Sequence, residues 1–163
     1  MGGKKTSYGG RTLEDVIGSL TLKGFTALSG AQYRKQQKNG QLSLLPSGRI
    51  LVKHHRYITM FGSAGYREYF IESPEWTGQL ECKFQGGSGS TDEKMVYIAE
   101  TLKRNSEERM AVVHGGPWWI DGRGKKIIDW LKKEAKAIKH QYGKDLLVFD
   151  MDGFFSWANR TWK

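Results

Sequence analysis

The chain has 163 residues, the length of one compact domain, and its 38% apolar and 26% charged content is that of a globular protein rather than a disordered one. Lys and Arg number 26 against 17 Asp and Glu, a formal net charge of +9, which points to a polyanionic partner, with nucleic acid ahead of a membrane surface. No apolar run approaches the ~18–20 residues needed to cross a bilayer, the glycine-rich start lacks a signal-peptide core, and Cys82 is the only cysteine, so an intracellular protein without a disulfide or a Cys-based zinc site is expected.

Taken in chain order, Met1 to Arg11 combines glycines with basic groups and reads as a flexible basic tail, leaving residues 12–163 as a single domain. Thr12 is a candidate N-cap, and Leu13, Val16, Ile17 and Leu20 follow at helical spacing, predicting a helix over Leu13–Lys23. Gly30 to Gly48 is polar and basic with little periodicity and reads as a loop, able to serve as a DNA-contacting arm through Arg34 and Lys35. Ile50–Phe61 is rich in β-branched and aromatic residues and predicts a strand, turning at Gly62-Ser63-Ala64-Gly65.

Tyr66–Ile71 and Gln79–Gln85 predict two further strands, joined through the turn formers Ser73-Pro74-Glu75-Trp76-Thr77-Gly78. Gly86 to Ser90 is a flexible connection into a helix over Asp92–Arg104, with Ser90 or Thr91 as its cap. Met110–His114 reads as a buried strand, Gly124–His140 as an amphipathic helix, Leu146–Asp150 as another strand, and Gly153–Trp157 as a terminal turn or helix. This order predicts an α/β fold in which helices flank one mixed sheet.

The chemistry concentrates on Glu81-Cys82-Lys83-Phe84-Gln85. Side chains alternate along a strand, so Leu80, Cys82 and Phe84 face a core while Glu81, Lys83 and Gln85 face the other way. An antiparallel neighbour carrying Glu68 and Glu72 would bring a second carboxylate to Glu81. Two adjacent carboxylates repel unless a cation joins them, and hard oxygens favour Mg²⁺, with Mn²⁺ as a substitute. Lys83 would then orient or help deprotonate the attacking water and stabilise charge on phosphorus, with Gln85 hydrogen-bonding phosphate or water. An isolated Glu-x-Lys would ordinarily be a solvated ion pair; the apolar alternation, the acids upstream and the basic excess raise it above that.

Gly65-Tyr-Arg-Glu68-Tyr-Phe, Leu80-Glu-Cys-Lys-Phe-Gln85, Ser88-Gly-Ser-Thr-Asp-Glu-Lys94, the strand ending His114-Gly-Gly and Trp157-Ala-Asn-Arg160 together resemble the PD-(D/E)XK nuclease superfamily, and among it small phage-type nucleases. The resemblance implies a restriction-endonuclease-like fold, a metal-dependent DNA endonuclease, Glu81 as metal ligand and Lys83 as catalytic lysine. The family's upstream acid is usually Asp, often after Pro; here Glu68 is preferred for it and Glu72 is the fallback. Glu14 matches a carboxylate that relatives add from the first helix, although a helix-start acid is equally explained by the macrodipole.

Lys94, Arg67, Lys35 and Arg34 are the nucleic-acid-contact candidates, with DNA as partner and a homodimer as the assembly many proteins of this fold adopt. His54, His55 and His114 suit phosphate contact or structural roles, Trp118 and Trp119 suit base stacking or core cover, and the lysines of the Gly124–His140 helix suit contact with the DNA backbone or, as such runs usually do, a solvated face. The alternative function is a nuclease fold that has lost cleavage and binds DNA or a partner.

Overall fold

The computed structural model, which describes residues 8–86 and 91–163, is organised by one six-stranded sheet. Along the chain run α1 (Tyr8–Leu22), β1 (Thr26–Ser29), α2 (Gly30–Lys38), a 3-10 turn (Leu42–Leu44), β2 (Ile50–Ile58), β3 (Ala64–Glu72), β4 (Gly78–Phe84) and α3 (Thr91–Arg104). They are followed by β5 (Arg109–Gly115), a 3-10 turn (Pro117–Trp119), α4 (Gly122–Tyr142), β6 (Asp145–Phe149) and α5 (Met151–Thr161). The strands lie in sequence order, with β1–β2, β4–β5 and β5–β6 parallel and β2–β3 and β3–β4 antiparallel. This is the expected mixed α/β sheet flanked by helices.

Alternation along the central strands feeds two cores. Leu51, Tyr69, Ile71, Leu80, Cys82, Ala111 and Val113 pack under α1 and α5 through Val16, Leu20, Phe154, Ala158 and Trp162. Met110, Val112 and Leu146 face the other way and pack with Met95, Ile98 and Leu102 of α3 and Ile128, Leu131 and Ile138 of α4. A smaller cluster of Leu28, Tyr33, Ile50 and Val52 seats α2 at the β1–β2 edge. Helices therefore flank both faces, and Glu81, on the face opposite Leu80 and Cys82, is only 8% exposed.

Three expectations about elements change. The first helix begins at Tyr8, so 8–11 belong to α1 rather than to a tail; Met1–Ser7 of that expected tail and Gly87–Ser90 of the Ser-Gly-Ser motif lie outside the described residues. The segment from Gly30, expected as a loop, forms α2, entered directly from β1 and closed by a capping box in which Ser29 and Gln32 satisfy each other's backbone N–H groups. Its helix buries only Gly30 and Tyr33, so no apolar stripe marks it in the sequence. At the C-terminus α5 is a full helix capped by Asp150, whose carboxylate accepts the Gly153 N–H at 2.7 Å.

The β2–β3 hairpin bends in mid-course. His54 adopts φ 53°, a strained conformation for a residue with a side chain, and the ladder pairs Lys53 with Tyr69 and His55 with Arg67 but omits His54 and Glu68 between them. In a flat ladder His55 would stand about 10 Å along the strand from Phe70. Instead the two rings stack with centroids 4.3 Å apart, and His55 Nδ1 lies 3.0 Å from Gln79 Nε2. The distal hairpin thus folds across the sheet, where Arg67 pairs with Glu107 at 2.8 Å and sits 4.1 Å over the Tyr57 ring.

Candidate active site

The β3–β4 ladder pairs Ile71 with Gly78, Phe70 with Gln79 and Tyr69 with Leu80, and the strands then part. The next residues in register are Glu68 and Glu81, and their side chains take over the backbone's hydrogen bonding. The Cys82 N–H donates to Glu68 Oε2 at 2.8 Å and the Glu68 N–H to Glu81 Oε1 at 3.4 Å. Each carboxylate is thereby anchored to the opposite strand by a main-chain donor, which fixes the two acids relative to one another.

Lys83 completes the cluster. Two residues after Glu81 on the same strand face, it places Nζ 2.7 Å from Glu81 Oε2 and 4.0 Å from Glu68 Oε2. Its backbone is held from above by Trp119, which is buried and donates its indole N–H to the Lys83 carbonyl at 3.1 Å. The Gly115-Gly116-Pro117 turn delivers that indole: Gly116 has φ 105° and lies so close to the Gln85 carbonyl that a side chain there would collide with it. The role of Trp119 escaped the sequence reading; its signal was the Gly-Gly-Pro turn placed directly after a strand.

Burial raises the pKa of Glu68 above the ordinary carboxylate range and Glu81 adds to the rise, while the Cys82 N–H and Lys83 oppose it. Burial also pushes the Cys82 thiol far up, so that it packs as an apolar group and offers no thiolate near neutral pH. The pair already attracts positive charge, as the position of the Lys83 ammonium shows, and among the described residues Glu68 Oε1 takes no hydrogen bond. A divalent cation suits this set: Mg²⁺ is commonly held by one or two carboxylates, with waters and substrate phosphate completing its shell. Among the described residues no group of three or more His, Cys, Asp or Glu side chains forms a fuller cage.

Of the proposed site residues, Glu68, Glu81 and Lys83 converge. Glu72 does not join them: it lies four residues further along β3, about 13 Å in an extended strand, and accepts a hydrogen bond from the Tyr33 hydroxyl. Glu14 is exposed on α1, the helix packed against the Leu80 and Cys82 face, where it borders a cleft with Ile17, Lys53 and Tyr69. Gln85 lies just beyond β4, its backbone N–H donating to Gly115 O at 2.9 Å.

Arg67, expected to contact nucleic acid, is 3% exposed and committed to Glu107 and Tyr57, so it is not a surface cation. Arg34 and Lys35 are exposed on α2, and Lys94 is exposed near the start of α3. His55 is half-buried against Phe70, whereas His54 is exposed and flanks Glu68 in the hairpin register. His114 stands beside Lys83 in the β4–β5 register, with its Nε2 buried and without a partner among the described residues. Trp118 packs edge-on to Trp119, their centroids 4.6 Å apart, as core cover.

The family described as the PD-(D/E)XK nuclease superfamily domain matches residues 4–162, nearly the whole chain. The mixed six-stranded sheet flanked by helices is that of the restriction-endonuclease-like fold. Comparison with curated proteins and with solved structures gave no match.

Proposed function

The chain belongs to the PD-(D/E)XK nuclease superfamily, and we propose that it is a divalent-metal-dependent endonuclease of the small phage type that hydrolyses DNA phosphodiester bonds. The observation that carries this reading is the convergence of Glu68, Glu81 and Lys83 at the point where β3 and β4 part. Glu68 and Glu81 would hold the cation, Mg²⁺ with Mn²⁺ as a substitute. When bound, it supplies Lewis-acid polarisation of the scissile phosphate and neutralises developing charge.

The chain's own groups do the rest. In the present arrangement the Lys83 ammonium pairs with Glu81 at 2.7 Å; beside a phosphate it would stabilise negative charge and help orient the attacking water. Trp119 holds the Lys83 backbone through its indole N–H and so fixes where that side chain starts. Gln85, one step beyond the strand, is a phosphate or water hydrogen-bonding group.

The test is cleavage of supercoiled, branched and single-stranded DNA with Mg²⁺ by the wild type and by Lys83→Ala. Cutting by the wild type and its loss in the variant are expected. Wild type that binds these substrates and cuts none of them would overturn the enzyme reading. The rival, a nuclease fold that binds DNA without cutting, draws on Glu68 standing where the family pattern has Asp. Calorimetric titration with Mn²⁺ separates the two, since uptake lost in Glu68→Gln and Glu81→Gln belongs to the enzyme.

A further inference from the structure

The positive charge of this protein is unevenly placed. Between Asp15 and Glu68 the sequence has no Asp or Glu at all, yet it carries Lys23, Arg34, Lys35, Lys38, Arg49, Lys53, Arg56 and Arg67; the remainder of the chain is close to neutral. The lysine-rich α4, the more conspicuous run, is partly self-compensated, with Lys125 bound to Asp129 at 2.7 Å and Lys139 to Asp145 at 2.9 Å. Within the acid-free stretch Arg49 and Arg67 are paired with Glu75 and Glu107, which leaves Arg34, Lys35 and Lys38 of α2 and Lys53 and Arg56 of β2 as a cationic group with no acid of their own segment beside them.

That hairpin has two different faces. His55, Tyr57 and Arg67 turn inward, onto Phe70, Gln79 and Glu107. The outward face carries the cross-strand pairs Arg56–Tyr66 and Ile58–Ala64 and leads to Phe61 at the turn. Its large apolar groups are uncovered: Ile58 is 56%, Tyr66 64% and Phe61 81% exposed. Three large apolar side chains exposed on one short hairpin, with Arg56 paired across from Tyr66, are what a binding face carries.

We infer that the distal β2–β3 hairpin is a two-stranded ribbon that enters a groove of duplex DNA and inserts Phe61 between base steps. β-ribbons enter DNA grooves, and ribbons that bind the minor groove insert apolar wedges such as Phe that unstack a step while neighbouring cations hold the phosphates. Arg56 on the ribbon and Arg34 on α2 line one cleft and supply those cations. The placement also serves cleavage, because Tyr66 and Glu68 are two residues apart on β3, about 7 Å along the strand. The bend at His54 sets the angle between ribbon and acids.

This inference rests on the nuclease reading but is tested apart from it. In EDTA, where nothing is cut, binding of the full chain to a duplex carrying 2-aminopurine is followed by anisotropy and by 2-aminopurine emission, for wild type, Phe61→Ala, Tyr66→Ala and, as an equally exposed apolar control on α1, Leu22→Ala. The wild type should raise the emission; Phe61→Ala should abolish the rise and weaken binding about tenfold, as loss of base–aromatic stacking does. Leu22→Ala should change neither. Wild-type behaviour in Phe61→Ala and Tyr66→Ala overturns the ribbon even if Mg²⁺-dependent cutting is found. Retention on anionic vesicles that depends on Phe61, with no duplex binding, overturns it in favour of a membrane surface.

Discussion

The Glu68 carboxylate accepts the Cys82 backbone N–H at 2.8 Å, a donor that a continued ladder would have paired with a main-chain carbonyl of β3. At the point where the two strands part, this bond orients the Glu68 carboxylate. It also identifies Glu68, not Glu72, as the residue beside Glu81.

Glu68→Gln keeps an oxygen able to accept from Cys82 while removing the charge. Thermal stability should change by less than about 1 kcal/mol, whereas Mg²⁺-dependent cleavage should fall about a hundredfold or more, as when an electrostatic contact to the reacting centre is removed. Glu72→Gln likewise keeps an oxygen that accepts from the Tyr33 hydroxyl, so stability should change by about 1 kcal/mol or less and cleavage should be retained. If Glu72→Gln abolished cutting and Glu68→Gln did not, Glu72 would be the upstream acid.

Trp119→Phe preserves the aromatic packing and removes the indole N–H that holds the Lys83 carbonyl. Stability should drop by about 1 kcal/mol, and kcat by about tenfold with KM little changed, since a small displacement of a catalytic group is costly. Equal rates for variant and wild type in single-turnover cleavage would show that Trp119 does not position Lys83.

Arg67→Ala strips the partner from Glu107 in a nearly dry site, and removal of one member of a buried pair costs about 3 kcal/mol or more. Urea unfolding should show this loss. The salt dependence of DNA binding should stay unaltered, whereas Arg34→Ala should reduce its slope by about 1. An unchanged unfolding midpoint in Arg67→Ala would contradict the buried pair.

His114 supplies a pH dependence of stability. Burial lowers its pKa from 6.5 to about 4, so between those values the unfolded chain takes up a proton that the folded protein resists. Its contribution is complete above about pH 6.5 and is lost as pH falls toward 4, by at most ~3 kcal/mol. Unfolding measured from pH 7.5 to 4 for wild type and His114→Asn should show a shallower acid slope in the variant. Parallel slopes would refute the assignment.

Much of this is legible in the amino-acid sequence. Strict alternation made β4 a two-faced strand carrying Glu81 and Lys83, and 3.6-residue spacing marked α3 and α4, because these elements bury a regular stripe. By contrast α2 buries only Gly30 and Tyr33 and draws its stability from a capping box and contact with β1 and β2, so periodicity could not reveal it. Arg67 looked like a surface cation because a sequence does not say which charges will meet Glu107 and an aromatic ring.

The sequence by itself determined the ingredients: a basic, mixed α/β chain with a Glu-x-Lys strand and acids upstream. Which acid stands beside Glu81 was decided by the tertiary structure, through the register of β3 on β4 and the point at which the two strands part. Register is a matter of non-local hydrogen bonds, and a carboxylate competes for those bonds only once the two strands have met.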